Sequence, residues 1–206
     1  QAVSGNGQAA PAGFAVAEDL VVRLVDGDGN GVGGRSVTWV VSTGGGTVSP
    51  VNATTDGDGL ARTRWTLGSS VGPNTLDAVF SGLPAVPFTA TASADAPSKL
   101  AMVDGNGQSG TVGQNLGTQL SVRVTDENDN PVENVSVDWV AGGGGSVSSP
   151  TSGTGADGVA RITRKLGTVP GPCTTTASVT GLAGSPVTFT CTANGGAAAK
   201  LAIVDE

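Results

Sequence analysis

Residues 120–142, LSVRVTDENDNPVENVSVDWVAG, contain two segments of alternating apolar and polar side chains on either side of an acidic turn. Leu120, Val122 and Val124 recur at every second position, and the same spacing returns over residues 135–141. A period of two directs one set of side chains to a core and the other set to solvent, so both segments are predicted to be β-strands. The Asp, Asn and Pro residues between them are typical of a turn.

The same pattern occurs twice in the 206 residues. Four short blocks return at an offset of 100 or 99 positions: LVVRLVD and LSVRVTD (20–26 and 120–126), VTWVV and VDWVA (37–41 and 137–141), GGGTV and GGGSV (44–48 and 143–147), and DGLAR and DGVAR (58–62 and 157–161). A fixed period of this kind marks repeated structural units. We therefore expect repeat 1 over residues 1–98 and repeat 2 over residues 99–199, with a linker near residues 94–98.

Each repeat contains about seven short segments of strand character, with a tryptophan in the third, and turn residues separate them. No segment shows a convincing helical period. Short strands at this spacing around a central tryptophan are typical of an immunoglobulin-like sandwich. The sequence therefore predicts an all-β fold of two tandem immunoglobulin-like β-sandwich domains.

A third copy of the repeat begins at residue 200. KLAMVD (99–104) returns as KLAIVD (200–205), whereas repeat 1 opens at Gln1 without a counterpart of Lys99 and Leu100. We expect residues 200–206 to be either the start of a third repeat in a longer array or a donor strand that enters the first-strand position of repeat 1 in a neighbouring chain. The candidate assembly residues are Lys200, Leu201, Ala202, Ile203 and Val204.

The composition argues against several classes of protein. The chain has no histidine, which is the usual general base and the commonest transition-metal ligand. It has no GxSxG motif, and the glycines at 142–145 lack the lysine and the helix of a phosphate loop. We therefore expect no enzyme and no cofactor. Ten Lys and Arg against 17 Asp and Glu argue against a nucleic-acid partner, and no apolar stretch approaches the roughly 20 residues of a membrane helix.

The order of motifs resembles the bacterial immunoglobulin-like domains (group 1, Big-1) of the intimin and invasin type. In repeat 2 these motifs are LxVxVxDxxxNPVxxVxVxW, then GGG, then DGVA, then GLxxxPVTFT; repeat 1 follows more loosely, with Gly31 in place of the turn proline. The resemblance implies a stalk or spacer module in an extracellular or cell-surface bacterial protein. It also implies that most single modules carry no active site.

Two cysteines, Cys173 and Cys191, lie on either side of a predicted hairpin turn at residues 181–184. If the hairpin is centred on Leu182, the two cysteines face each other on the side that also carries Phe189. This placement favours a disulfide, which would indicate an exported protein. The alternative is a pair of reduced, buried thiols.

Two acidic turns resemble the first half of a calcium loop, because oxygen-bearing side chains stand at alternate positions. The candidate ligands are Asp26, Asp28 and Asn30 in repeat 1, and Asp126, Asn128 and Asn130 in repeat 2. The distal glutamate of an EF-hand is missing. The simpler interpretation is a β-turn in which these residues cap their own backbone.

Trp65 and Arg164 occupy equivalent positions in the two repeats. The alternation of the surrounding strand places Arg164 on the same face as Ala160 and Ile162. Since a buried charge is costly, we expect Trp65 in the core and Arg164 at its rim.

Three functions remain open at this stage. The repeat favours a non-enzymatic structural module, such as an adhesin stalk, that contacts adjacent repeats. The segment from Lys200 favours a fibre subunit that polymerises head-to-tail with copies of itself. A carbohydrate- or protein-binding module with a host or surface ligand is the alternative, and it would normally present exposed aromatic side chains.

Overall fold

The computed structural model describes residues 1–199. The chain divides into two compact units, unit 1 over Gln1–Asp95 and unit 2 from Ala96 onward. Both are built from strands, and the residue patterns explain why. In the strand Val187–Asn194, for example, buried and exposed side chains alternate over the full length, as the period of two requires.

Unit 1 consists of the strands β1 (Ala2–Ser4), β2 (Gln8–Pro11), β3 (Leu20–Arg23), β4 (Ser36–Thr43), β5 (Thr47–Ser49), β6 (Asn52–Thr54), β7 (Leu60–Thr66), β8 (Gly72–Val79) and β9 (Val86–Ser93). One sheet has the order β1-β3-β7-β5 and the other the order β2-β9-β8-β4-β6. The β2–β9 pair is parallel, with Gln8 opposite Ala90, whereas the other pairs are antiparallel.

Unit 2 repeats this plan with the strands β10 (Lys99–Asp104), β11 (Gln108–Thr111), β12 (Leu120–Thr125), β13 (Ser136–Gly142), β14 (Ser146–Val147), β15 (Thr151–Gly153), β16 (Val159–Ile162), β17 (Arg164–Lys165), β18 (Gly171–Ser178) and β19 (Val187–Asn194). The larger sheet has the order β11-β19-β18-β13-β15, and β11 again pairs in parallel with β19. The opposite layer consists of a three-stranded sheet, β10-β12-β16, and a two-stranded sheet, β14-β17. Strands β16 and β17 together correspond to β7.

A separate apolar core lies between the sheets of each unit. In unit 1 the Trp39 and Phe88 rings are 5.7 Å apart, and in unit 2 the Trp139 and Phe189 rings are 6.0 Å apart. These aromatic pairs are buried together with aliphatic side chains from both sheets. The two cores confirm the predicted pair of immunoglobulin-like sandwiches.

The first strand of each unit changes sheets at a glycine-rich bend. Gly5 and Gly7 have φ angles of +86° and +73°, values that L side chains rarely adopt. A Cβ on Gly5 would also lie 2.5 Å from the Asp19 carbonyl oxygen. The chain therefore passes from β1 in one sheet to β2 in the other within three residues.

This bend explains why the prediction of about seven strands per repeat was too low. The strand that follows the bend, β2, and short edge strands such as β5 and β6 add to the total. The tryptophan consequently lies in the fourth strand of unit 1 rather than in the third.

Candidate functional site

An open apolar cleft lies beside the sheet edge of unit 1. Its volume is about 220 Å³, which is below the roughly 300–1,000 Å³ of typical small-molecule pockets. We define the unit 1 cleft by the apolar side chains that line it, which are Val22, Leu24, Val37, Ala78, Phe80, Leu83, Pro84 and Val86. Its size and lining suit one or two aliphatic side chains rather than a drug-sized ligand.

The equivalent place in unit 2 is filled by the start of β10. Leu100 pairs with Val124 of β12, and its side chain is 3% exposed within the core. The Leu100 N–H donates to the Ala183 carbonyl at 2.8 Å, and the Ala183 N–H donates to the Ser98 carbonyl at 2.9 Å. The Ser98 N–H in turn donates to the Thr125 carbonyl at 2.8 Å. The strand is thus held between β12 and the turn that carries Ala183.

Lys99 fixes the beginning of this strand at the surface. Its Nζ donates to Asp129 Oδ1 at 2.7 Å and to the Glu127 carbonyl at 3.0 Å. The corresponding residues of unit 1 are Gly27 and Gly29. Unit 1 therefore retains the carbonyl but lacks the carboxylate that this lysine contacts.

The difference between the units changes the exposure of equivalent side chains. Leu182 packs partly buried against the core of unit 2, whereas its counterpart Leu83 is 53% exposed. In unit 2 the carbonyl of Thr125 accepts from the Ser98 N–H. The unit 1 cleft thus presents an apolar surface that includes Leu83.

The sequence analysis did not identify the side chains that line the unit 1 cleft. Those side chains depend on the β8–β9 turn, which is shorter than the β18–β19 turn of unit 2. The predicted assembly residues, Lys200, Leu201, Ala202, Ile203 and Val204, lie outside the described residues.

Cys173 and Cys191 are joined in a disulfide. They face each other across β18 and β19 in the register expected from the sequence, in which Thr175 lies opposite Phe189. Their Cα atoms are 4.9 Å apart, within the range that a disulfide spans. In unit 1 the place of Cys173 is taken by the buried Asn74, whose amide bonds to the backbone of Gly68 and Gly72.

The acidic turns cap their own backbone. In unit 1, Asp26 Oδ1 accepts from the N–H groups of Asp28 and Asn30 at 3.0 and 2.9 Å. The Asn30 side chain donates to the other Asp26 oxygen at 3.2 Å. The backbone N–H of Asn30, followed by its side chain, holds the pKa of Asp26 below its ordinary value of 3.8.

The turn of unit 2 has the same arrangement around Asp126, which is fully buried. Asp126 Oδ1 accepts from the N–H groups of Asn128 and Asn130, each at 2.9 Å. Within residues 1–199 no group of three or more Asp, Glu, Cys or His side chains is placed to hold a metal ion.

Two further aspartates cap turns that begin a strand. The N–H of Leu60 donates to Asp56 Oδ1 at 2.9 Å, and this bond is the main reason that the pKa of Asp56 lies below 3.8. The Arg161 guanidinium lies 2.7 Å from Asp157 Oδ2 and is the main reason that the pKa of Asp157 is also lowered.

The prediction that Arg164 lies at the rim of the core is wrong, whereas the core position of Trp65 is confirmed. Both side chains are completely buried. The Arg164 guanidinium donates to the carbonyls of Gly142 and Ser146 at 3.0 and 3.2 Å, and also to those of Gly144 and Lys165. The glycine-rich turn therefore surrounds the cation with carbonyl oxygens, which no strand periodicity could reveal.

Aromatic side chains contribute little to the surface of the described chain. Trp39, Trp65 and Trp139 are all buried. Phe14 is exposed by 51%. No helix within residues 1–199 has the length and apolar character needed to cross a bilayer.

Comparison with known proteins agrees with the sandwich fold. Residues 113–192 match the bacterial Ig-like domain (group 1) family, so the resemblance inferred for repeat 2 is confirmed. No curated protein sequence matches the chain.

Several solved structures share the architecture. InvD of Yersinia pseudotuberculosis is 17% identical with a TM-score of 0.60, covering 96% of this chain and 58% of that one. FdeC, an Escherichia coli adhesin, is 22% identical with a TM-score of 0.52, covering 89% and 61%. The chain thus spans about three fifths of each of these two structures. At such identities the likeness establishes the fold.

Proposed function

We propose that this chain, whose second unit belongs to the bacterial Ig-like domain family (group 1), is a non-enzymatic structural segment of a bacterial surface adhesin. The observation that carries the proposal is that the family match falls on one of two copies of the same sandwich. Repetition of a module without a catalytic constellation suits a protein that holds a binding partner away from the cell. InvD and FdeC share this fold, and FdeC is an adhesin.

The disulfide of unit 2 supports an extracellular location. Disulfides form and persist in oxidising compartments and are rare in the cytosol. Cys173 and Cys191, the two cysteines of the sequence, are both buried and joined to each other. A domain that is cross-linked by a disulfide in this way is suited to the cell surface.

Surface labelling of the source cells tests this role. Antibodies raised against the folded chain are expected to label intact cells, and protease treatment of those cells is expected to remove the signal. A cytosolic marker protein serves as the control for cell integrity. Labelling that requires permeabilised cells would contradict the proposal.

A fibre subunit is the second candidate function. The observation that favours it is that KLAMVD of β10 recurs as KLAIVD at residues 200–205, a second copy of a strand that pairs with β12 in unit 2. Contact between residues 200–205 of one chain and unit 1 of another would join two different surfaces, so it would propagate head-to-tail.

A carbohydrate-binding role receives less support. Sugar sites normally use an exposed aromatic platform, and all three tryptophans are buried. A host or surface ligand of protein type remains compatible with the adhesin role, and a glycan array would separate the two ligand classes.

A further inference from the structure

We propose that Asn194 is a self-modification site, at which the chain converts its own asparagine to aspartate and isoaspartate without an enzyme. The reacting groups are the Asn194 side-chain amide, the backbone nitrogen of Gly195 and water. The inference does not depend on the stalk or fibre role, because it follows from the chemistry of one dipeptide and from its surroundings in unit 2.

The chemistry is that of an asparagine followed by a glycine. The backbone nitrogen of the glycine loses its proton to hydroxide or water and attacks Cγ of the asparagine side chain. The new C–N bond closes a five-membered succinimide ring, and ammonia leaves with the former amide nitrogen and one proton. Water then opens the ring at either of its two carbonyls, so the product is aspartate or isoaspartate. Glycine favours the attack because it has no Cβ to restrict the backbone or to obstruct the nitrogen.

The sequence contains four such pairs, because Asn6, Asn30, Asn106 and Asn194 are each followed by glycine. The local chemistry of the four pairs is the same, so any difference in their rates comes from the fold. The reaction requires the asparagine side chain and the glycine N–H to leave whatever hydrogen bonds they make. The pairs differ in how many of these bonds they have.

Two of the pairs are held at both reacting groups by a single threonine. Asn6 Oδ1 accepts from the Thr89 N–H at 2.8 Å, and the Gly7 N–H donates to the Thr89 carbonyl at 2.9 Å. The pair at Asn106 makes the same two bonds, at the same lengths, to Thr190. In both units the larger sheet therefore holds the attacking nitrogen and the attacked side chain apart.

The third pair is held within the acidic turn of unit 1. The Asn30 side chain donates to Asp26 Oδ2 at 3.2 Å, and the Asn30 carbonyl accepts from the Asp26 N–H at 2.9 Å. Gly31 packs so closely against the backbone of Asp58 that even a Cβ would clash there. The side chain of Asn30 can therefore approach the Gly31 nitrogen only when the turn opens.

Asn194 is held far less firmly. It is exposed, and within residues 1–199 its side chain makes no hydrogen bond and the Gly195 N–H donates to no carbonyl. Strand β18 pairs with β19 only as far as Ala193. Asn194 is therefore held through β11 alone, where the Val112 N–H donates to its carbonyl at 2.9 Å. Strand ends of this kind open more readily than strand interiors, and opening lets Cγ approach the nitrogen.

The exposure is a property of the strand end itself, because it recurs in unit 1. Ser93 occupies the place of Asn194, since its carbonyl accepts from the Ala12 N–H at 2.8 Å in the same way. Ser93 is also exposed, although unit 2 follows it in the chain. Unit 1 has serine and alanine at the two positions, so the reactive pair occurs at this strand end only in unit 2.

The reaction alters the last pairing between β11 and β19. Aspartate and isoaspartate both add one negative charge, and isoaspartate also adds a methylene group to the backbone between Asn194 and Gly195. The added methylene displaces the carbonyl that accepts from Val112. We therefore expect isoaspartate, but not aspartate, to release the Val112 N–H.

Peptide mapping by mass spectrometry tests the site. The full chain is incubated at mildly alkaline pH, where the attacking nitrogen loses its proton more readily, and each asparagine is followed separately. We expect Asn194 to convert at least about tenfold faster than Asn6, Asn30 or Asn106, because those pairs must first break hydrogen bonds. Isoaspartate is expected among the products. An unreactive Asn194, or equal rates at the four sites, would overturn the proposal.

Two controls separate the fold from the local sequence. In guanidinium chloride, which unfolds the chain, the four sites are expected to convert at similar rates; a preference for Asn194 that persists there would overturn the structural argument. Gly195→Ala is expected to slow conversion at least about fivefold in the folded chain, because a Cβ restricts the attack. Gly195 has open space at its Cβ position and is not among the glycines with positive φ, so alanine fits the fold. An unchanged rate would reject Gly195 as the nucleophile.

Hydrogen exchange at the Val112 amide tests the structural consequence. Chain that has formed isoaspartate is expected to exchange this proton several-fold faster than fresh chain. Asn194→Asp adds the charge without lengthening the backbone, so it is expected to keep the exchange rate of the parent chain. Equal protection of Val112 in the isoaspartate form and in fresh chain would contradict the predicted loss of the bond.

Discussion

Arg164 is a fully buried cation that is stabilised by carbonyl oxygens. None of the ion pairs within residues 1–199 includes Arg164. Burial lowers the pKa of its guanidinium. We expect Arg164→Ala to lower the free energy of unfolding by at least about 3 kcal/mol, because it leaves a cavity and several buried carbonyls without donors. Urea denaturation of unit 2 measures this.

Arg164→Trp provides the matched control, because Trp65 occupies the equivalent place in unit 1. Replacing a buried ionic group by an apolar one of similar volume is often close to neutral, so this variant is expected to lose less stability than the alanine variant. A tryptophan variant as unstable as the alanine variant would show that the carbonyl contacts, and not the filled volume, dominate.

The capping aspartates make stability depend on pH. The pKa values of Asp56 and Asp157 are lowered in the folded state, so their stabilisation is complete above the unfolded value near 3.8. It is lost as the pH falls through the folded pKa. Asp157→Asn is therefore expected to be less stable than the parent chain at pH 7, with a difference that shrinks towards pH 2 in thermal melts. Asp58→Asn is the matched control in unit 1 and should cost less stability at pH 7 than Asp157→Asn, because the capping carboxylate of that turn belongs to Asp56.

At the scale of elements, the disulfide closes the β18–β19 hairpin over a sequence separation of 18 residues. A loop of this length predicts a loss of about 3 kcal/mol when the bond is removed by Cys173→Ala with Cys191→Ala. Asn74 and Ala92 take these places in unit 1. The pair Cys173→Asn with Cys191→Ala is therefore expected to recover part of the loss through bonds like those of Asn74, as chemical denaturation can measure. No recovery would contradict the equivalence of the two sites.

The glycine-rich turn before β14 offers a test of close backbone packing. Gly144 and Gly145 both have φ angles near +80°. They differ in the space around an added side chain: a Cβ on Gly145 would clash with the Lys165 carbonyl oxygen, whereas a Cβ on Gly144 would have no contact closer than 3.6 Å. Gly144→Ala is expected to cost about 1–2 kcal/mol for the backbone conformation alone. Gly145→Ala should cost clearly more in the same melts, and equal losses would show that the turn relaxes freely.

The register of the β18–β19 hairpin shows what the sequence could predict about individual strands. The parity of Phe189 and the two cysteines was enough to pair β18 with β19 correctly. The division of the first strand at Gly5 was not predictable from alternation, because it depends on a positive φ and a close approach to Asp19. The burial of Arg164 depends likewise on carbonyls from the turn at 142–146, which lie outside its own strand.

For the whole molecule, the repeat predicted two sandwiches of one plan, and both are present. The repeat did not predict the cleft, because the cleft joins side chains from β3, β4, β8, β9 and the β8–β9 turn. Such a combination depends on tertiary packing rather than on any local pattern.

Calcium is not expected to stabilise the chain, since the carboxylate oxygens of Asp26 and Asp126 already accept bonds from their own turns. A site with a Kd of about 1 mM would raise the free energy of unfolding by about 1 kcal/mol at roughly 5 mM calcium. We therefore expect melting curves in calcium and in EDTA to coincide. A rise of about 2 °C or more in calcium would reveal a metal site.

The parallel pairing at one edge of each sandwich has a consequence for folding during protein synthesis. Gln8 pairs with Ala90, and Gln108 with Cys191, so each larger sheet joins the beginning of its unit to the end. Topologies dominated by such distant contacts fold slowly, in milliseconds to seconds. Neither sandwich can complete its larger sheet before its last strand has left the ribosome or, during export, the translocon. Each unit therefore stays unfolded until almost all of it has been synthesised or exported.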